Sequence, residues 1–408
     1  VTPIARAVDQ VGVALLGVMM LLTAADVIFR YVFNSPIKGS IEITGFLLLA
    51  TIFWSIPYAQ VQKRHITIEL FIKRLSPRRQ LAVETMALFI SLILVGIFVW
   101  RSIMYALDLH EMNRYTGVLE LKVAPFILII TIGCLLFFFI LLVDLLRKMD
   151  DGLEKGRQAV KWIFIGIVIL AVIYFIYKFS SDLPWSPCPM VIGLIGLGLL
   201  FAVFLSKLSI FLSLTLVGFL GMCFLRGPMA GLGLMDSAPF SVGSQYTFSV
   251  IPLFVLMGTL CFYSGLGKDL YDAAYSWVGS LPGGLAMGTI VACGGFAAVC
   301  GDTMATAVTM GTLTIPEMKR YRYNPSLAAG CVAAGGTLGV LIPPSLAFIL
   351  YAILTDQSIA VLFIAGIVPG ILLVLLFMFS IYIRARLNPA LGPAGPRTTL
   401  KEKFRILS

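Results

Sequence analysis

The chain has 408 residues, 59% of them hydrophobic and only 12% charged, with a formal net charge of +10. That is too little polar surface to cover a soluble globule of this size, so lipid is expected to face much of it. The basic excess gathers at the ends of apolar runs, which argues for membrane topology and against nucleic acid. The seven cysteines and the two histidines, His65 and His110, show no metal-ligand spacing.

A bilayer core of about 30 Å needs roughly 20 helical residues. Apolar runs of about that length lie at 11–29, 43–60, 81–107 and 123–146. The first ends in Asp26-Val27-Ile28-Phe29-Arg30 and not in a small-residue cleavage site, so it reads as a retained helix. Asp26 and Asp144 sit near helix ends as snorkelling or paired groups, and Glu42 suits the positive end of a helix dipole. The stretch Arg64 to Arg74 alternates enough to lie along the membrane interface as a helix. Charged residues from Asp150 to Lys161 then mark a boundary. The organisation read from this is a four-helix membrane domain at 1–150, a linker at 151–188 with a connecting helix at 161–179, and a glycine-rich domain at 189–408.

The later domain has apolar runs at 189–206, 208–225, 247–266, 325–353 and 359–383. The fold class is therefore an all-α integral membrane protein with about ten transmembrane helices. With the N-terminus and C-terminus both cytoplasmic, about three quarters of the 30 Lys and Arg residues fall on the cytoplasmic side. That count requires 284–316 to begin and end on one side. Two arms, Leu285 to Val299 and Met304 to Ile315, flank Cys300-Gly301-Asp302-Thr303, and each is too short to cross. A re-entrant hairpin with a polar tip is expected, the second arm ending at Pro316.

Two segments carry chemistry. A carboxylate at the hairpin tip is costly at membrane depth, and such groups tend to mark ion or substrate paths. The segment Gly335-Gly336-Thr337-Leu338-Gly339-Val340-Leu341-Ile342-Pro343-Pro344-Ser345 should unwind its helix, because two prolines remove amide donors and the glycines loosen the preceding turn. Freed carbonyls can hold a cation, and half-helix N-termini can face an anion. The same pattern also fits a proline kink beside a glycine packing face. No phosphate-binding loop, nucleophile elbow or zinc signature is present, so an enzyme or ATP-driven pump is not expected. An intramembrane enzyme using Asp302 would need a second polar catalytic group, and none is evident.

At these residues the chain resembles a fusion of the small and large membrane subunits of tripartite ATP-independent periplasmic (TRAP) transporters. Arg30-Tyr31-Val32-Phe33-Asn34, Glu42 and Arg64-His65-Ile66 resemble the small subunit. Gly301 with Ala305, Thr306 and Gly311, then Ile315-Pro316-Glu317-Met318, resemble the large subunit's first hairpin. So do Gly336-Thr337-Leu338-Gly339 with Leu341-Ile342-Pro343-Pro344-Ser345, and Leu362-Phe363-Ile364-Ala365-Gly366 with Pro369-Gly370. The resemblance implies an inner-membrane, elevator-type symporter, without an enzymatic cofactor, that couples sodium to uptake of a carboxylate-bearing solute delivered by a periplasmic solute-binding protein. Carried over by position, Cys300, Gly301, Asp302, Thr303, Gly335, Gly336, Thr337, Gly339, Pro343, Pro344 and Ser345 would bind substrate or cation. Sodium would sit at Gly301, Asp302, Thr303, Gly335 and Thr337. Two departures stand out. The family's tip is usually serine-rich, whereas here it carries Asp302, and only the first of the family's two inverted repeats is found. A large-subunit part truncated after its first repeat is expected, and a transport-inactive scaffold or docking protein is the alternative reading.

Overall fold

The computed structural model describes residues 2–68, 72–154 and 189–395. Among them the only regular secondary structure is helical, and seven helices are long and apolar enough to cross a membrane. The expected connecting helix at 161–179 lies outside the described residues. The chain divides into two compact units, Val1–Phe248 and Ser249–Ser408.

Among the described residues the first unit holds seven helices: α1 (Thr2–Val32), α2 (Ser40–Val61), α3 (Pro77–Glu111), α4 (Ala124–Glu154), α5 (Pro189–Phe204), α6 (Ile210–Arg226) and α7 (Pro228–Gly243). Its core gathers Leu49 of α2, Val95 of α3, and Ile130, Phe137 and Leu141 of α4. Helices α2 and α4 approach closely because Gly133 lies against the Phe53 carbonyl; a Cβ there would stand 2.3 Å from that oxygen. The run at 208–225 forms a helix of only 17 residues, short of a full crossing by length, and the described part of the run at 189–206 is helical over Pro189–Phe204. A turn at Lys207 divides them, and its ammonium is held 2.5 Å from Glu84.

Of the two readings for Asp26 and Asp144, the structure shows pairing. Asp26 pairs with Arg30 at 2.7 Å and accepts the Ile37 amide at 2.9 Å, fixing the turn into α2. Asp144 accepts from Gln60 at 3.0 Å. Glu42 does more than suit a dipole: it accepts the Val118 and Leu119 amides at 2.7 and 3.0 Å, pinning the loop before α4. The expected interfacial helix from Arg64 to Arg74 is not formed in its described part, where 64–68 is irregular and only Ile72–Arg74 makes a 3-10 turn. The His65 ring explains this locally, since it turns inward against Phe137 and Phe211 instead of lying on a helix face.

The second unit comprises α8 (Val250–Tyr263), α9 (Leu266–Val278), α10 (Gly284–Cys300), α11 (Thr303–Arg320), α12 (Pro325–Leu341), α13 (Leu346–Thr355) and α14 (Ile359–Leu387). Its core is the buried helix α10, with Leu285, Ile290 and Phe296 packed among Met310, Met318 and Leu338. Helices α10 and α11 form the expected hairpin, but its arms are longer than expected, 17 and 18 residues. Pro316 does not end the second arm. It lacks one amide donor near the helix end, and α11 continues to Arg320.

One end of this unit is tied together. Tyr323 Oη donates to the Pro393 carbonyl at 2.8 Å and accepts the Leu285 amide at 3.2 Å. The Gly283 and Asn324 amides donate to the Gly392 and Leu391 carbonyls. The start of α10, the end of α11, the start of α12 and the segment after α14 therefore share that end. The hairpin tip lies at the other end of α10, about 26 Å along a helix of 17 residues.

Candidate functional site

Helix α12 also has 17 residues, and it breaks at the depth the hairpin reaches. The interruption is narrower than the sequence suggests. Gly335, Gly336 and Gly339 lie inside regular helix, and only Ile342 to Ser345 leave it. The reason is that prolines remove helical donors, whereas these glycines serve contact. A Cβ on Gly336 would stand 2.8 Å from Ala307 of α11, and one on Gly339 would stand 2.7 Å from the Asp302 carbonyl carbon. The glycine face is thus the surface on which the hairpin rests.

The tip and the break touch directly. Gly301, at φ +62°, takes the left-handed turn that reverses the chain, and its carbonyl accepts the Leu346 amide at 3.2 Å. A Cβ on Gly301 would meet the Pro344 carbonyl oxygen at 2.5 Å. Asp302 caps α11 by accepting the Ala305 amide at 2.9 Å, a placement that suits a carboxylate at a helix N-terminus. Its carbonyl accepts from the Thr306 hydroxyl at 2.6 Å.

At the break, Pro343 and Pro344 have no N–H to give the Gly339 and Val340 carbonyls, the partners an unbroken helix would supply. Ser345 Oγ replaces one of them, donating to the Val340 carbonyl at 2.6 Å. The Gly339 carbonyl is left without that donor, on a residue whose Cβ position faces the Asp302 backbone. Helix α14 presses on the other side, where Gly366 and Gly370 let it approach Leu341 and Ile342.

The residues singled out in sequence therefore fall into two groups. Gly301, Asp302, Thr303, Gly336, Gly339, Pro344 and Ser345 meet at the tip and the break, with Pro343 inside the break. Cys300 is buried and faces Gly258 of α8. Gly335 faces Cys293 of the first hairpin arm, and Thr337 is exposed with its hydroxyl donating back to Ala334 at 2.6 Å. Neither is brought to the tip. Sequence reasoning missed Leu346, whose amide joins the two elements, and Gly258, which admits the tip against α8.

Asp302 also lines a cavity of about 330 Å³ between the hairpin and α8, with Thr259, Cys300 and Thr309. Both threonine hydroxyls donate to carbonyls of their own helices. Among the described residues the cavity thus offers one carboxylate and no basic side chain, a donor set that fits a cation and repels an anion. Among the described residues no cluster of His, Cys, Asp and Glu is built to hold a transition metal.

Residues 19–151 match the family described as tripartite ATP-independent periplasmic transporters, DctQ component, and residues 197–405 match its DctM component. The chain belongs to the TRAP transporter family. Both TRAP membrane components are joined in one polypeptide. Among relatives, the C4-dicarboxylate TRAP transporter large permease protein DctM of Pseudomonas aeruginosa is 43% identical over 163 residues, covering 40% of this chain and 38% of that protein. The isethionate TRAP transporter permease protein DctMQ of Oleidesulfovibrio alaskensis is 40% identical over 143 residues, 35% of this chain and 22% of that one. The ectoine/5-hydroxyectoine permease UehC of Ruegeria pomeroyi is 32% identical over 189 residues, 46% and 44% of the two chains. The chain spans less than half the length of these curated relatives.

The DctQ and DctM matches do not coincide with the compact units. Helices α6 and α7 lie in the DctM match, yet they pack in the first unit with the DctQ-like helices. Arg101 of α3 clasps Asp236 of α7 through both carboxylate oxygens, with Nε donating at 2.6 Å. The hairpin, the broken helix and α14 all belong to the DctM part.

Proposed function

We propose that this chain is the membrane permease component of a sodium-coupled TRAP transporter that imports a carboxylate-bearing solute. A periplasmic solute-binding protein delivers the solute, and both termini face the cytoplasm of a bacterial or archaeal inner membrane. The observation that carries the reading is the junction of hairpin tip and helix break, joined by the Leu346 amide on the Gly301 carbonyl. Irregular backbone at membrane depth is tolerated only where protein buries it or a watery path reaches it. Here the break leaves the Gly339 carbonyl without its helical donor, and the tip resting on that helix carries the Asp302 carboxylate, oxygen groups of the kind a sodium ion requires. An anionic solute would lie on the side of the junction away from the Asp302 cavity, where charge repulsion is weaker. The names of the relatives, a C4-dicarboxylate and an isethionate permease among them, favour an organic anion.

Sodium binding and transport are tested separately. Thermal unfolding of the purified chain should rise with sodium chloride but not with choline chloride at equal ionic strength. Replacing Asp302 with serine should weaken that dependence. Sealed vesicles holding the chain should take up a labelled C4-dicarboxylate only with a sodium gradient and a solute-binding protein outside. Equal stabilisation by both salts refutes the sodium site. Sodium stabilisation without uptake refutes transport by this chain and leaves the docking-protein reading.

A further inference from the structure

A second cavity, of about 310 Å³, lies in the second unit at the end away from the hairpin tip, between α10, α12 and α14. Its inner wall is apolar, with Ile290, Leu327, Phe377 and Ile381. Its mouth carries Ser326 and Ser380 and the guanidinium of Arg384. Among the described residues no carboxylate lines it. Among the described residues Arg384 makes no ion pair, and neither serine hydroxyl makes a hydrogen bond.

The surroundings indicate what reaches this mouth. Leu376, Phe379 and Ile383 on α14 are exposed at 52, 61 and 38%, so acyl chains would contact this helix in a bilayer. Helix α12 begins at Pro325 and α14 ends at Leu387, placing Arg384 where the apolar segments give way to polar loops. Arg386, Lys319, Arg320 and Arg322 lie in the last turns and loop at this same end.

A free anion would pair with Arg384 and leave the apolar cavity unfilled. A zwitterionic lipid would fill the cavity and bring its own cation to the guanidinium. An anionic phospholipid satisfies both parts. We infer that this cavity binds one anionic phospholipid, an acyl chain inside and the phosphate against Arg384, Ser380 and Ser326. The inference does not depend on the sodium site, which lies at the opposite end of the same helices.

The full chain in neutral detergent is titrated with dioleoyl phosphatidylglycerol or dioleoyl phosphatidylcholine, and bound lipids are counted by native mass spectrometry. One phosphatidylglycerol should bind about fivefold more tightly than phosphatidylcholine, the factor expected for one basic residue against an anionic headgroup. Arg384→Gln should abolish the preference while phosphatidylcholine binding stays as it was. Gly330→Leu should weaken both lipids, because Gly330 lines the cavity and open space surrounds its Cβ position, so the added side chain enters without a clash. Excess inorganic phosphate should leave the lipid bound. Equal binding of the two lipids overturns the inference, as does a preference that survives Arg384→Gln, binding unaffected by Gly330→Leu, or displacement by phosphate alone.

Discussion

Replacing Gly339 with alanine adds one methyl group at the point where α12 supports the hairpin tip. Built on the present backbone, that carbon stands 2.7 Å from the Asp302 carbonyl carbon, 2.8 Å from its oxygen and 2.9 Å from the Thr303 nitrogen. All three are main-chain atoms, so no side chain can rotate away. Reaching ordinary contact near 3.4 Å requires the tip to retreat by about 0.7 Å, enough to forfeit a quarter to a half of the dispersion energy across that seam. Overpacking of this kind costs about 1–3 kcal/mol. The substitution also gains helix propensity, about 1 kcal/mol, which would mask part of the loss. Gly330 supplies the control on the same helix, since nothing stands within 4 Å of its Cβ position. Gly330→Ala should be neutral or stabilising by up to about 1 kcal/mol. The difference between the two variants isolates the overpacking, because both gain the same propensity. Thermal unfolding in mild detergent should place Gly339→Ala several degrees below Gly330→Ala, at roughly 2–4 °C per kcal/mol for a unit of this size. Equal midpoints would falsify the claim that the tip rests on the α12 backbone.

Gly301→Ala is expected to destabilise by about 2 kcal/mol or more, combining a left-handed φ with a methyl group against the Pro344 carbonyl; a chemical-unfolding midpoint unchanged from the parent argues against the tip geometry. Arg101→Met alone leaves Asp236 partly buried without its cation and should cost about 3 kcal/mol, whereas the double variant with Asp236→Leu should recover most of it; a double-mutant cycle without coupling refutes the clasp. Burial holds the His65 imidazole below its ordinary pKa of 6.5, with Nε2 buried and unpaired. The unfolded chain therefore takes up the proton first, so His65 leaves stability intact above pH 6.5 and lowers it as the pH falls through 6.5 towards the folded value. His65→Leu should flatten that part of a stability profile, and an unchanged acid slope refutes the assignment.

Much of the fold was legible because lipid imposes a simple rule. Apolar runs long enough to cross must be helical, so α1 to α4 and α14 could be placed from hydrophobicity alone. The hairpin was legible for a similar reason: two arms, each read as too short to cross, flank a glycine-aspartate turn. Helix ends were harder, because they depend on partners distant in sequence. Glu84 holds the Lys207 turn, and His65 turns onto aromatic rings of α4 and α6. Composition near residue 64 gives no sign of those rings.

By itself the sequence determined the membrane class, the polar turn at Cys300 to Thr303 and the proline interruption, since each follows from what a backbone can do locally. It could not determine what the glycines were for. A glycine that loosens a helix and one that admits a neighbour read alike in sequence, and only the opposing surface separates them. The tertiary structure supplied that surface, setting the Asp302 backbone on Gly339 and Ala307 on Gly336 while α12 stays helical to Leu341. It also joined tip to break through the Leu346 amide, a main-chain donor that every residue but proline carries and that no residue pattern could have marked.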